Sequence, residues 1–253
     1  MTQNNERYAR QLALLGAEGQ EKLERARVLV VGAGGLGSPL LSYLAAAGVG
    51  TLTFVDEDRV AESNLNRQVL YTETDLGHSK AGRAAERLEA LNRAVRVTPI
   101  AARFTGENGP ALVAQSDLVA LALDNRETRL LANRLCVAAG RPLVDGGIDG
   151  WSGYVTAVVP GETPCLSCWF QQRKPGGRAP VSLGPMAGVI GSMEALAVLQ
   201  MLLGRPGPAG RLMLFDGSEW TLSSLGAGRR PDCPACGNRG EAAPSRGVTE
   251  TVK

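Results

Sequence analysis

Aromatic side chains are scarce: Phe, Trp and Tyr make up 4% of the chain, while hydrophobic residues make up 44%. The interior must therefore be built mostly from Ala, Val and Leu. No basic block of five or more residues occurs, and the formal net charge is only +2. Both facts argue against nucleic-acid binding. Met1–Glu6 is polar and has no apolar signal core, so a cytoplasmic protein is expected. The longest apolar stretch, Met186–Leu203, is interrupted by Ser192, Glu194 and Gln200. It reads as a buried core helix rather than a membrane span. There is a single histidine, His78, in a turn before Lys80, and it is assigned no role.

The most informative stretch is Val28–Gly37, VLVVGAGGLG. Four apolar residues run into the glycines 32, 34, 35 and 37, and Ser38 and Pro39 then open a helical pattern that ends at Gly48. The continuous apolar run fits a buried parallel strand. Glycines at the following turn admit a phosphate close to the backbone, and a helix N-terminus offers unpaired N–H groups. A second apolar run, Leu52–Val55, stops at Asp56, at the spacing where such folds hold a ribose hydroxyl. This order identifies a nucleotide site without naming the nucleotide.

Alternation of strand and helix patterns continues. Ala81, Ala84, Leu88 and Leu91 keep helical spacing behind Lys80; Val95–Ile100 and Leu118–Leu123 read as strands, the latter ending on Asp124-Asn125. Arg126–Ala139 reads as a helix stopped by Gly140, and Pro142–Val144 as a short strand leading to Asp145-Gly146-Gly147. The expected fold class is α/β: a Rossmann-like, mainly parallel, doubly wound sheet with helices on both faces. Asn4–Arg25 precedes it as one or two amphipathic helices. Arg173–Gly184, rich in Pro, Gly and Arg, reads as an exposed mobile loop. Strands are expected at Tyr154–Val159, Leu212–Phe215 and Glu219–Leu225, and a disordered tail after Gly237. The expected organisation is an N-terminal helical segment over 1–26, a nucleotide-binding half over 27–150, a second half of the same domain over 151–237, and the tail over 238–253.

Five cysteines form two pairs and a single. Cys165-Leu-Ser-Cys168 and Cys233-Pro-Ala-Cys236 each have the two-residue gap that lets neighbouring thiolates reach one tetrahedral Zn²⁺. Four thiolates close the coordination sphere, so the expected zinc is structural. It would tie the C-terminal part to the body. Disulfides and a redox pair are the competing readings; the first conflicts with a reducing compartment, and the second needs no second pair. Cys136, within a helix pattern beside Leu135 and Val137, reads as a buried structural thiol.

The glycine loop, Asp56, the stretch Ser63-Asn64-Leu65-Asn66-Arg67-Gln68, Gly77-His78-Ser79-Lys80, Asp124-Asn125 and the paired cysteines together resemble the ThiF/MoeB/HesA family, the bacterial relatives of ubiquitin-activating enzymes. The resemblance spans about Glu6 to Gly237. It implies ATP-dependent adenylation of the C-terminal carboxylate of a ubiquitin-like sulfur-carrier protein ending in Gly-Gly, for thiamine, molybdopterin or related sulfur transfer. By the same resemblance Arg67 and Lys80 supply positive charge and Asp124 holds Mg²⁺. Asp56 takes the ribose, Gly35 gives the close backbone approach, and Ser63, Asn64 and Asn125 line the ATP. Arg10, in RYARQ, matches an arginine that reaches the ATP of the other subunit, which requires a homodimer. Taken singly, Arg67, Lys80 and Arg10 read as solvated charges and Asp124 as a turn residue. The chain departs from several family members in carrying no cysteine in the loop Arg173–Gly188, and a sulfurtransferase domain is not expected after the cysteines, so a separate sulfur donor enzyme is expected. Adenylation of a peptide or another carboxylate, a nicotinamide-dependent oxidoreductase, and a non-catalytic carrier-binding scaffold are the alternative readings.

Overall fold

The computed structural model describes residues 6–170, 181 and 183–237. The calls on the tail after residue 237, on most of the loop at 173–184 and on residues 4–5 of the first helix fall outside these residues.

Eight strands form one sheet in the order β3-β2-β1-β4-β5-β6-β7-β8. Strands β1 (Arg27–Val31), β2 (Thr51–Val55), β3 (Arg96–Ile100), β4 (Leu118–Leu121) and β5 (Leu143–Asp149) are mutually parallel. Strands β6 (Ser152–Val158), β7 (Arg211–Asp216) and β8 (Thr221–Gly226) extend the sheet by antiparallel pairing. Helices α2 (Gly37–Ala47), α3 (Lys80–Leu91) and α7 (Gly184–Leu202) share one apolar layer with Val28, Val30, Leu52 and Phe54. Helix α5 (Arg126–Ala139) and the cysteine segments share the other, with Leu29, Val31, Val119 and Leu121. The alternation along β1 shows how a strand covered on both faces reads as a continuous apolar run. Short helices α4 (Gly109–Ala114) and α6 (Leu166–Trp169) complete the second layer.

Helix α1 (Ala9–Arg25) is broken at Gly16, where φ is +69°. Helices α2 and α5 end on Gly48 and Gly140, both left-handed, as the glycine signals predict. Among the boundaries that differ from the sequence-based expectation, two bear on the site. The strand expected over Leu118–Leu123 stops at Leu121, because the Leu123 carbonyl accepts from the Arg129 guanidinium at 2.6 Å instead of from a neighbouring strand. Asp124 therefore sits on a bend beyond the strand, not at its end. The strand expected at Pro142–Val144 continues to Asp149 through Asp145-Gly146-Gly147, because β6 pairs along it. A Cβ at Gly146 would lie 2.5 Å from the Glu194 carboxyl carbon, and one at Gly147 would lie 2.5 Å from the Tyr154 ring. The two glycines are an interior strand making room on its two faces, not a turn.

Helix α7 is long and apolar enough to cross a membrane by length and composition, with a mean hydropathy of 1.4. It packs instead against α2, β5, β6 and β4. Its Glu194 is fully buried, and neither carboxylate oxygen has a hydrogen-bond partner among the described residues. Burial, reinforced by the Asp145 charge, pushes this carboxyl well above the ordinary value near 4.5. The native state therefore keeps a proton that the unfolded chain releases. Stability is greatest below the ordinary value and falls as pH rises toward the native one, by at most about 1.4 kcal/mol per pH unit. Glu194→Gln removes that slope. Thermal melts from pH 5 to 8 should show the parent losing stability with rising pH more steeply than the variant; parallel curves would contradict a buried neutral acid.

Candidate nucleotide site and cysteine cluster

The parallel strands β1, β2 and β4 end side by side, with Val31 in register with Val55 and with Leu121. Strand order reverses between β1 and β4, and in open α/β sheets the crevice at that reversal is where ligands bind. The glycine loop occupies it. Gly32 has φ +100°, and a Cβ there would lie 2.4 Å from the Ala122 carbonyl oxygen. Only a glycine lets β1 leave the sheet this close to β4. Helix α2 then begins at Gly37, its N-terminus facing the crevice.

Asp56 follows β2 directly. Its Oδ2 accepts from the Ala33 N–H at 2.8 Å and its Oδ1 from the Asp58 N–H at 2.9 Å. The carboxylate thus fixes the glycine loop from the end of the neighbouring strand. Burial pushes its pKa up, against the pull of the two N–H groups and of Lys80. Lys80 opens α3; it is 4% exposed, and its Nζ lies 2.9 Å from Asp58 Oδ2. A cation this deep beside a single exposed carboxylate is not a solvated surface charge.

The stretch 62–68 forms a short 3-10 turn followed by a loop. Asn64 Oδ1 accepts from the Ala61 N–H, and Arg67 Nη1 donates to the Ser63 carbonyl at 2.7 Å and to Asn66 Oδ1 at 3.0 Å. These bonds curl the arginine back over its own turn, and its Cγ would lie 3.6 Å from a Cβ at Gly35. Arg67 and the glycine loop are therefore neighbours. Gln68, in the motif but not among the sequence-predicted ligands, is 5% exposed, packs against Gly34, and has a buried Oε1 with no hydrogen-bond partner among the described residues. The signal was its place in SNLNRQ; its burial is visible only in the fold. Asn125 caps α5 by accepting from the Thr128 N–H at 2.9 Å, and Asp124 beside it is exposed.

One predicted residue stands apart. Arg10 lies on α1, which is anchored by Tyr8 and Gln11. The Tyr8 hydroxyl accepts from Asn92 at 2.8 Å, and Gln11 donates to the Ala47 carbonyl at 2.8 Å. These anchors sit at the C-terminal end of α2, whereas the glycine loop is at its N-terminal end. Eleven helical residues separate the two ends, about 16 Å. The fold does not bring Arg10 to this chain's own crevice.

On the other face, Cys165, Cys168, Cys233 and Cys236 are buried, and their four Sγ atoms all lie within 4.8 Å of one another. Cys165 and Cys233 are 3.6 Å apart, and Cys168 and Cys236 3.4 Å. A thiolate tetrahedron with 2.3 Å metal–sulfur bonds has edges of about 3.8 Å, whereas a disulfide holds its sulfurs at about 2.05 Å. The cluster fits a metal and not a pair of disulfides. Asn133 of α5 accepts from the Leu166 N–H at 2.9 Å and ties the first pair to the nucleotide-binding half. Cys136 is fully buried, and burial pushes its thiol up to about 12. It is protonated and unreactive at neutral pH.

The geometry can be set beside known proteins. A "Sulfur carrier protein adenylyltransferase" of Thermus thermophilus is 46% identical over 246 residues, covering 92% of this chain and 91% of that one. A "Sulfur carrier protein ThiS adenylyltransferase" of Escherichia coli is 40% identical over 237 residues, covering 91% and 94%. A crystal structure of E. coli MccB with ATP superposes with a TM-score of 0.81 at 25% identity, covering 93% of this chain and 75% of that one. The profile of the ThiF family matches residues 8–235, which takes in the glycine loop, every crevice residue described above and three of the four clustered cysteines. With the profile running nearly end to end and the glycine crevice built as described, the chain belongs to the ThiF family.

Proposed function

We propose that the protein transfers AMP from ATP to the C-terminal carboxylate of a ubiquitin-like sulfur-carrier protein ending in Gly-Gly, forming an acyl-adenylate and releasing pyrophosphate. The observation that carries this reading is the gathering of Gly35, Asp56, Arg67 and Lys80 at the strand-order reversal of a ThiF-family chain. A nicotinamide enzyme would use the glycine loop and Asp56 but has no task for Lys80 and Arg67.

A C-terminal carboxylate has a pKa near about 3.5 and attacks already ionised, so no general base is required. The barrier comes from driving one anion onto another. Positioning and charge neutralisation then do most of the catalysis. Arg67 and Lys80 neutralise the phosphates, Lys80 exchanging Asp58 for the nucleotide. Asp124 would hold Mg²⁺, which would offset the charge of the triphosphate. Asp56 accepts from the ribose hydroxyls; Ser63, Asn64 and Asn125 add neutral hydrogen bonds. The four cysteines would hold a structural Zn²⁺, which would tie the C-terminal segment to the body. With Cys136 buried and protonated, sulfur reaches the adenylate from a separate donor enzyme, and the protein works in the cytoplasm.

The carrier meets the antiparallel end of the sheet. There Trp151 and Trp220 are 60% and 83% exposed, with Trp220 edge-on to Phe215. Trp220 adopts φ +53°, an uncommon backbone for a bulky residue. The test is carrier-dependent ATP–pyrophosphate exchange. Exchange is expected with an intact Gly-Gly carrier and not with one shortened by its last glycine; exchange with neither would end this reading.

The working unit is a homodimer in which Arg10 serves the partner's ATP. Besides the separation of Arg10 from its own crevice, the face formed by α1, α2 and α7 exposes Tyr43 and Leu196 at a cavity of about 320 Å³ that Gln11 and Leu199 also line. Mixing Arg10→Ala chains with Asp124→Ala chains should restore exchange, since each mixed dimer contains one intact composite site. No recovery after demonstrated subunit exchange would mean that Arg10 does not act in trans.

A further inference from the structure

The β4–α5 bend that carries Asp124 is fastened from behind by a buried polar cluster that the sequence motifs do not include. Arg129, one turn into α5, is 8% exposed. Its Nη2 donates to the Leu123 carbonyl at 2.6 Å. Its Nη1 reaches Asp145 Oδ1 at 2.5 Å, the Gly146 carbonyl at 2.9 Å and the Tyr154 hydroxyl at 2.6 Å. Tyr154 donates in turn to Asp145 Oδ2 at 2.9 Å. Both Asp145 oxygens are thus engaged, and Asp145 is fully buried. The arrangement is specific to a planar guanidinium, whose forked donors reach several acceptors at fixed angles; a lysine ammonium in the same place cannot span them.

The geometry of the strands makes this more than an internal ion pair. Residue 123 lies past the last paired residue of β4, so no strand hydrogen bond fixes it. The guanidinium is the partner of the Leu123 carbonyl, and Asp124 is the next residue. Asp145 and Tyr154 lie on β5 and β6, the junction where the parallel sheet turns antiparallel, with Tyr154 opposite Gly147. Gly147 leaves the space the tyrosine ring occupies. The ring also lies 5.2 Å from Phe170, whose carbonyl accepts from Arg126 at 2.8 Å. The bend is therefore held against the segment after α6 on one side and against the sheet junction on the other.

We propose that Arg129, held by Asp145 and Tyr154, is a positioning residue that sets the carboxylate of Asp124 for the metal–nucleotide complex. The inference rests on the assignment of Mg²⁺ to Asp124 above. Residues behind a metal-binding carboxylate typically change metal affinity by about 10–100-fold when replaced.

The test measures equilibrium binding of ATP at increasing MgCl₂ for the full-length protein, for Arg129→Lys, for Tyr154→Phe, and for each combined with Asp124→Asn, with thermal melts throughout. Arg129→Lys keeps the charge opposite Asp145 and loses the fork. It should raise the Mg²⁺ concentration for half-maximal ATP binding about tenfold. Tyr154→Phe leaves the ion pair intact and should shift it by a smaller factor in the same direction, which keeps the test usable if the lysine variant does not fold. In the Asp124→Asn background neither change should shift binding further, because groups acting through one another are non-additive. An unchanged Mg²⁺ requirement in folded Tyr154→Phe and Arg129→Lys, or an equal shift with and without Asp124, would overturn the proposal and leave the assignment of Asp124 standing. If Asp124→Asn alone leaves the Mg²⁺ dependence unchanged, the assignment of Asp124 falls and the proposal with it.

Discussion

Asp124→Ala is expected to lower carrier-dependent pyrophosphate exchange by roughly 10²–10³-fold, the loss typical of removing a group aimed at developing charge, while the protein melts as the parent does. The two outcomes separate because of where the residue sits. Asp124 is exposed on a bend, and the caps and contacts around it belong to others: Asn125 caps α5 and Arg129 holds the Leu123 carbonyl. Replacing an exposed side chain away from such features changes stability by no more than about 0.5 kcal/mol. Asp124 lies just past the end of β4, the strand against which the glycine loop is closed by the contact of Gly32 with Ala122. A triphosphate on that loop lies next to it. Asp124→Asn keeps the shape and removes the charge, so it should lose nearly as much; near-normal exchange by a folded Asp124→Asn protein would remove the residue from the metal site.

Cys233→Ser should act in the opposite way, on the fold before the chemistry. Arg229 ties the segment of the second cysteine pair to the body by donating to the Gly161 carbonyl at 2.7 Å, and braces the segment itself by donating to the Cys236 carbonyl at 2.6 Å. Residues 227–237 belong to no strand or helix. A metal shared by both pairs therefore supplies much of what fixes this segment, and its binding free energy is folding free energy. Loss of one thiolate ligand should cost several kcal/mol, and at about 2–4 °C per kcal/mol for a chain of this size the melting temperature should fall by roughly 10 °C or more. One zinc per chain should be found in protein purified without chelator, and none in the variant. A parent protein free of zinc, or a variant that melts with it, would show that the four sulfurs are merely packed together.

Much of this was legible in the sequence, because strand and helix are set by local repetition. The buried run of β1, the glycines of the loop, the glycine stops at 48 and 140 and the helical spacing of α3 and α5 each depend on residues within a few positions of one another. The paired cysteines were legible for the same reason: a gap of two is a property of one turn. Legibility failed where a distant group supplied the missing partner. The sequence places strand ends at Leu123 and, before Asp145-Gly146-Gly147, at Val144. Instead the Arg129 guanidinium takes the Leu123 carbonyl, and β6, Tyr154 and Glu194 use the two glycines as space.

Composition and short-range pattern determined by themselves that this chain builds an α/β nucleotide-binding sheet with four metal-spaced thiols. They could not determine that Arg10 lies a helix length away from its own crevice, that Lys80 is buried against Asp58, or that a cluster of three polar side chains stands behind Asp124. Those facts were decided by the tertiary structure alone. Burial, and the pairing of charges that burial compels, depend on which segments meet across the sheet; the cost of leaving a buried charge unpaired is levied only once they do.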